Sequence, residues 1–245
     1  MWPDRYKHFL DHRSGSRLYQ VIAMNTVWSL TQQSEYVQLQ YFNKNKHLPQ
    51  VLGTCGHFYA VEYAPSGLLD PIFFDVTTST NWRKRAHLAL GVLDVLSSFE
   101  KDFPEPLYMC DIKGGQFGVA RDGTVKVIDV DTVFLRSELE KQFDRTCTGH
   151  TDCDFFDCQA WCDLTTQQCQ KKILNNNLQV VCAKIFKGND LQRGLLSHSP
   201  HQWTVQLQKL LDHCANPTGD ETDRRGVANV EDFYKLKRLL KVSML

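Results

Sequence analysis

Apolar positions along the chain repeat with two different periods, and the change from one to the other marks out helices and strands. Between residues 17 and 43, Leu18, Val21, Ile22, Val27, Trp28 and Leu30 recur at helical spacing, and after the polar run "TQQSE" so do Val37, Leu39, Tyr41 and Phe42. One or two helices are predicted there. Residues 50–64, "QVLGTCGHFYAVEYA", read as two strands joined by a turn at Gly53 to Gly56. The most regular helical pattern is "STNWRKRAHLALGVLDVLSSFEKDF", residues 79–103, with Ser79 or Thr80 as cap. Its apolar face of Trp82, Ala86, Leu90, Leu93 and Val95 or Leu96 predicts burial. In "YMCDIKGGQFGVARDGTVKVIDVDTV", residues 108–133, two apolar strands flank an Asp-Gly turn, which predicts a hairpin because Asp-Gly tolerates positive φ. A short helix from Thr132 to Phe143 and helices near 176–187, 200–214 and 229–241 complete the pattern. The resulting order is helix, short antiparallel sheet, long helix, acidic hairpin and further helices, an α+β chain.

Charge changes this picture little. Lys plus Arg and Asp plus Glu number 28 each, so no net field draws the chain onto nucleic acid or an anionic membrane. The run Arg83-Lys84-Arg85 and the tail "YKLKRLLKV" read as solvated faces of ordinary helices, and no partner is assigned to them. No window approaches 18 uninterrupted apolar residues, and "MWPDRYKHFLDHRSGSR" shows neither the apolar core of a signal peptide nor an anchor.

Cysteine changes it more. Of nine cysteines, Cys147, Cys153, Cys158, Cys162, Cys169 and Cys182 form one cluster, whereas Cys55, Cys110 and Cys214 stand apart. The cluster lacks the C-x2-C knuckle of most zinc sites, so an oxidised framework is expected over reduced thiols or zinc, although His150 lies close by. Sequence alone selects no connectivity, and nine cysteines leave at least one thiol without an intrachain partner. Asp152, Asp154, Asp157 and Asp163 thread the cluster, but the glycine and terminal Glu of an EF-hand loop are missing, and that reading is rejected.

The acidic hairpin carries the candidate chemistry. Asp111 opens the loop holding Lys113, Gly114, Gly115 and Gln116, while Asp129 ends "VKVI" and Asp131 follows on the same side of the strand. A hairpin brings its ends together, so these carboxylates converge where they could hold a metal or take a proton.

This layout resembles a protein kinase, in which a catalytic-loop Asp is followed by Lys and Asn and then by a hairpin ending in a Mg²⁺-binding Asp. "CDIKGGQFGV" is similar to the catalytic loop and "VKVIDVD" to the metal-binding strand, with the two aspartates 18 positions apart. "LPQVLGTCGHFYAVEYAPSG" is similar to the strands before a hinge, and "NWRKRAHLALGVLDVLSSFEKDF" to the long helix before the catalytic loop. With "CTGHTDCDFFDCQAWCD" and "NNNLQVVC", the chain from about Arg17 onward resembles the divergent protein kinase domain family, formerly grouped as the family with sequence similarity 69. These are cysteine-rich, signal-anchored proteins of the endoplasmic reticulum lumen.

The resemblance implies a kinase-like fold with residues 1–64 as a truncated small lobe and hinge. Residues 65–245 form a mainly helical large lobe with a cysteine-rich insert at about 147–182. It implies Asp111 as catalytic base and Lys113 as the phosphate-facing cation. Asp129, Gln116 and Asp131 become the metal set, Glu62, Tyr63 and Ala64 the nucleotide-binding hinge, and Glu35 the helix glutamate near the phosphates. ATP with Mg²⁺ or Mn²⁺ is the implied cofactor, and a protein or glycan hydroxyl the acceptor. Location is implied in the endoplasmic reticulum, with membrane contact only through an N-terminal anchor absent from this chain. Three departures qualify the roles. Gln116 stands in place of Asn, Met109-Cys110 in place of His-Arg, and no glycine-rich loop or strand lysine precedes residue 50. The Glu35 partner lysine would fall near Ser16, where only Lys7 and Arg17 are close, so the chain is expected to begin inside the small lobe and to be catalytically impaired. The alternative is a pseudokinase serving as a non-catalytic binding module.

Overall fold

A computed structural model describes residues 17–65, 81–188, 193–219 and 226–244. Its contacts divide the chain into two compact units, Met1–Tyr63 and Ala64–Leu245.

The first unit holds α1 (Arg17–Thr31), α2 (Ser34–Tyr41), β1 (Val51–Cys55) and β2 (Phe58–Val61). Polar residues 31–35 break the apolar repeat, and there the helix divides. Gln33 spans the break, its Nε2 donating to Ser29 O at 3.3 Å and to His57 O at 2.8 Å, which ties the helices to the β1–β2 turn. Tyr36, Leu39, Phe42 and Leu48 are buried beneath the hairpin, with the Tyr36 and Tyr59 rings 5.2 Å apart. Antiparallel pairing sets Cys55 opposite Phe58 and Gly53 opposite Ala60. The turn is therefore Gly56-His57, and Gly53, expected within it, lies at an irregularity inside β1, where an isolated strand glycine favours a bulge.

The second unit is built on α3 (Trp82–Lys101). Trp82, Ala86, Ala89, Val92, Leu93, Val95, Leu96 and Phe99 are buried along it. Its cap is Asn81, in the left-handed region at φ 63°; Ser79 and Thr80 lie outside the described residues. Arg85 departs from the solvated run expected at 83–85. It is fully buried, its guanidinium donating to the carbonyls of Leu195 (3.0 Å), Ser197 (2.5 Å) and His198 (3.2 Å), while Arg83 and Lys84 stay exposed. Three residues after Trp82 and beside Ala86, it falls on the buried face by helical period alone.

Four short strands follow. β3 (Leu107–Met109) pairs with β6 (Val133–Leu135), and β4 (Phe117–Val119) with β5 (Val125–Val127), both antiparallel. The Asp-Gly turn forms as expected, with Thr124 N–H donating to Asp122 Oδ1 at 2.9 Å. Gly91 of α3 faces β5 so closely that a Cβ there would lie 2.4 Å from Val125 Cγ2, which sets the hairpin against the helix. The helix expected from Thr132 is shorter, α4 (Arg136–Gln142). Val133, Phe134 and Leu135 instead take the strand partner that β3 offers, a pairing that overrides local helical spacing.

Residues 147–173 hold strands where only a cysteine cluster was expected. β7 (Asp154–Phe155), β8 (Cys158–Asp163) and β9 (Gln168–Ile173) form an antiparallel sheet, preceded by a 3₁₀ turn, His150–Cys153. Cys147–Cys162 and Cys153–Cys169 bridge within it, with Cα separations of 5.9 and 5.6 Å. The framework is not self-contained. Cys158 leaves the module to bridge Cys110, and Cys182 bridges Cys214. Cys110 and Cys214, which stand apart in sequence, are thus part of it, and Cys55 is the exposed free thiol.

The C-terminal helices are α5 (Asn177–Val181), continued by a π-helical stretch Cys182–Lys187, then α6 (His201–Ala215) and α7 (Val230–Val242). Asn176 caps α5 by accepting from Gln179 N, and Asn229 caps α7 by accepting from Asp232 N at 2.8 Å. α7 is fastened to α3 by Trp82 Nε1, which donates to Ser243 O, and by Lys237 to Asp94 at 2.8 Å. Among the described residues, no helix is long and apolar enough to cross a membrane.

Candidate active site

The loop from Cys110 to Gln116 links β3 to β4 and is pinned by what it buries. Ile112 is fully buried, which leaves Asp111 half-exposed and Lys113 exposed on either side of it. Lys113 Nζ lies 2.8 Å from Asp111 Oδ2. This bond and the Asp111 charge hold the ammonium above its ordinary pKa, and Asp129 adds to the effect, so all three groups share one field. At that exposure the ion pair contributes little to stability, and its value is positional.

Gln116 is buried and works as a staple. Its N–H donates to Lys113 O at 3.1 Å, its Oε1 accepts from Lys113 N at 3.2 Å, and its own carbonyl accepts from Ile128 N at 2.8 Å. The last bond couples the loop to the end of β5. Past β5 the chain leaves the strand, with Val130 buried between half-exposed Asp129 and exposed Asp131. Asp129 Oδ1 accepts from Asp131 N at 3.4 Å. Asp111, Lys113, Gln116, Asp129 and Asp131 are therefore assembled by one loop and one hairpin.

The expected hinge residues straddle the division between the units. Glu62 N–H donates to Gln50 O at 2.8 Å and Tyr63 is exposed at the end of the first unit, while buried Ala64 opens the second. Pro65 O accepts from Val119 N at 3.1 Å, and a Cβ on Gly118 would sit 2.6 Å from Ala64 O. Glycine there lets the Ala64–Pro65 backbone lie directly on β4. Glu35 in α2 accepts a hydrogen bond from the Tyr59 hydroxyl; Lys7 and Ser16 lie outside the described residues.

Several residues that hold the loop escape a reading of motifs. Asn177 Oδ1 accepts from Met109 N at 2.9 Å while its Nδ2 donates to Leu107 O at 2.8 Å, so one amide pairs with the open edge of β3. Cys110 N–H donates to Thr132 O at 2.9 Å. Asp157 and the Cys110–Cys158 bridge grip the same segment from the cysteine-rich module. The one available signal was a cysteine beside the candidate base, "MCD", in a chain whose other cysteines lie mostly far along the sequence.

The close cysteine sulfurs of the module are spoken for. The Cys147, Cys153 and Cys162 sulfurs lie within 4.8 Å of one another, but each is half of a disulfide and offers no thiolate. Its aspartates serve the backbone. Asp152 accepts from Thr148 N at 2.7 Å and Gly149 N at 3.1 Å, and Asp163 from Thr165 N at 2.9 Å. Those hydrogen bonds lower the pKa of both carboxyls. Four bridges in one domain suggest an oxidising, secretory or extracellular compartment.

The loop and hairpin, with their acid, cation and second acid, lie inside the segment of residues 27–217 that matches the family described as the protein-kinase domain of FAM69, and the chain belongs to that family.

Proposed function

We propose that this chain carries the catalytic half of a phosphoryl-transfer site that takes ATP and a divalent cation, and passes phosphate to a protein or glycan hydroxyl in the secretory pathway. The observation that carries the reading is the join between loop and hairpin: the Gln116 carbonyl accepts from Ile128 N, which ties the loop of Asp111 and Lys113 to the strand end of Asp129, whose charge reaches Lys113.

Asp111 accepts the proton of the acceptor hydroxyl as its oxygen bonds to the γ-phosphorus, and the bond from that phosphorus to the β-γ bridging oxygen breaks to release ADP. Lys113, already paired to Asp111, offsets charge on the phosphoryl oxygens in flight. Asp129 and Asp131 are hard oxygen donors two residues apart just past the strand end, a set that suits Mg²⁺ or Mn²⁺, and Gln116 Oε1 retains a second lone pair beside its bond to Lys113. The bound cation neutralises phosphate charge. Glu62, Tyr63 and Ala64 are the proposed contacts for the adenine, and Glu35 the acid near the phosphates.

A second reading, a pseudokinase that serves as a non-catalytic binding module, is favoured by Gln116 in place of Asn, whose extra methylene moves the amide oxygen offered to a second metal. A thermal-shift titration with ATP and Mg²⁺ or Mn²⁺ separates the two by testing for a nucleotide site. Melting temperature should climb with ATP concentration, since a ligand of the folded state stabilises by RT ln(1 + [L]/Kd). A flat titration across millimolar ATP overturns the proposal and selects the second reading.

A further inference from the structure

We propose that Asp157, which belongs to the cysteine-rich module and not to the loop or hairpin, is the positioning residue for Asp111. The module thereby sets the catalytic loop permanently, through a carboxylate and a disulfide. The inference deepens the phosphoryl-transfer reading and rests on it for its functional part.

Asp157 lies at the turn between β7 and β8 with its side chain 14% exposed. Its N–H donates to Cys110 O at 2.6 Å, and its Oδ2 accepts from Ile112 N at 2.7 Å. The residue before Asp111 and the residue after it are thus both fixed by one residue. The two peptide groups that set the direction of the Asp111 side chain cannot rotate without breaking one of these bonds. Asp157 is in turn fixed from behind, its Oδ1 to Lys184 Nζ at 2.5 Å and its carbonyl to Asn175 Nδ2 at 2.5 Å. Beside it, Cys158 bridges Cys110 with Cα atoms 5.0 Å apart. Two consecutive module residues therefore hold Cys110 and Ile112, the two loop residues that flank Asp111.

The turn that presents Asp157 is itself unusual. Phe156 has φ 52°, in the left-handed region that bulky residues avoid, and its side chain is 66% exposed, so burial of its ring does not compensate the strain. What holds it is the surrounding framework: Phe155 packs edge-on against Phe134 and Phe156, and the Cys147–Cys162 and Cys153–Cys169 bridges close the sheet. The position before Asp111, where kinases of the common pattern carry an arginine, is here committed to a disulfide. A constitutive clamp takes that place.

The test compares the protein, expressed in the secretory pathway, with Asp157→Ala, Asp157→Asn and Lys184→Met, after peptide mapping shows all four bridges intact. Amide exchange at Ile112 and steady-state turnover with Mn²⁺ and ATP are read in parallel. Asp157→Ala should speed exchange at Ile112 by about tenfold or more with the rest of the domain unchanged. It should also lower kcat by about 10- to 100-fold at nearly constant KM for ATP, the scale expected for a misplaced catalytic group. Lys184→Met, which keeps the Ile112 bond, should give a smaller change in both, and Asp157→Asn, which keeps an acceptor oxygen, should fall between. Unchanged exchange at Ile112, or faster exchange spread evenly over the domain, overturns the positioning role. Absent turnover in the wild type counts against the transfer reading only, because the exchange arm still decides whether Asp157 holds the loop.

Discussion

Ile128 donates its amide proton to the carbonyl of Gln116 across 2.8 Å, and that bond registers the loop opened by Asp111 against the strand end carrying Asp129. Neither carboxylate needs to touch the other for their spacing to be set. The shared field at Lys113, whose pKa is raised by its bond to Asp111 and by the charges of Asp111 and Asp129, follows from this register.

Asp129→Asn should remove the part of the ATP-dependent thermal stabilisation that depends on Mg²⁺, while the melting temperature without metal stays nearly unchanged. An amide is a weaker ligand for a hard cation, and half-exposed Asp129 accepts a long hydrogen bond, 3.4 Å, from the Asp131 N–H. Titration of both proteins with Mg²⁺ at fixed ATP gives the comparison. A full metal effect in the variant would move the site to Asp131.

The four bridges predict a specific fragment pattern. Non-reducing peptide mapping of protein expressed in the secretory pathway should recover 110–158, 147–162, 153–169 and 182–214 pairs, with Cys55 alkylated before any reductant is added. Replacing Cys182 and Cys214 together by Ala should cost about 2–5 kcal/mol, measured by denaturant unfolding. Recovery of a 147–153 or 158–162 pair would contradict the fold of the three-stranded sheet.

Motif and period made the acidic hairpin, the buried long helix and the α+β order legible, because each depends on residues close in sequence. The Asp-Gly turn needs only its own four residues, and the buried Phe117 and Val127 are the apolar residues of the two short strands it joins. What stayed hidden depends on residues far apart. β6 forms because Leu107–Met109 offers an edge some 26 residues upstream, and nothing within "TVFLRSE" announces it. The Cys110–Cys158 bridge and the Asp157 bond span 48 and 45 positions, and the spacing of the cysteines selects no such long-range pairing. For the candidate site, the acids and the cation could be read from sequence, whereas the groups that aim them could not.

Arg85 is a further case in which helical period outranks charge. Its guanidinium serves three carbonyls of the 195–198 segment and stacks over Trp82 at 5.4 Å, a set that the point charge of lysine cannot reproduce. Arg85→Lys should therefore destabilise the second unit by about 2–4 kcal/mol, since buried carbonyls lose their donors. Arg83→Lys and Lys84→Arg, on exposed neighbours, should shift stability by less than about 0.5 kcal/mol. Urea unfolding of the three variants separates them, and equal midpoints would show that the Arg85 contacts carry no net stability.

The aspartates of the module set its response to acid. Asp152 accepts from the Thr148 and Gly149 amides and the Thr148 hydroxyl at 2.9 Å, and these bonds lower its pKa in the folded protein. A carboxyl whose pKa falls on folding binds its proton more readily when unfolded, at about 3.9 for a free aspartate. Its stabilising effect is therefore fully present above about pH 4 and is lost as pH falls through the lower folded value. Asp163, lowered by the Thr165 and Thr166 amides, acts in the same direction. Asp152→Ala should lower the melting temperature at pH 7, and the gap from wild type should narrow steadily below about pH 4 as the wild type loses the same interaction. Melting curves of both proteins from pH 7 down to the acid limit measure that gap. A gap that stays constant through this range would mean that the Asp152 hydrogen bonds do not depend on its charge.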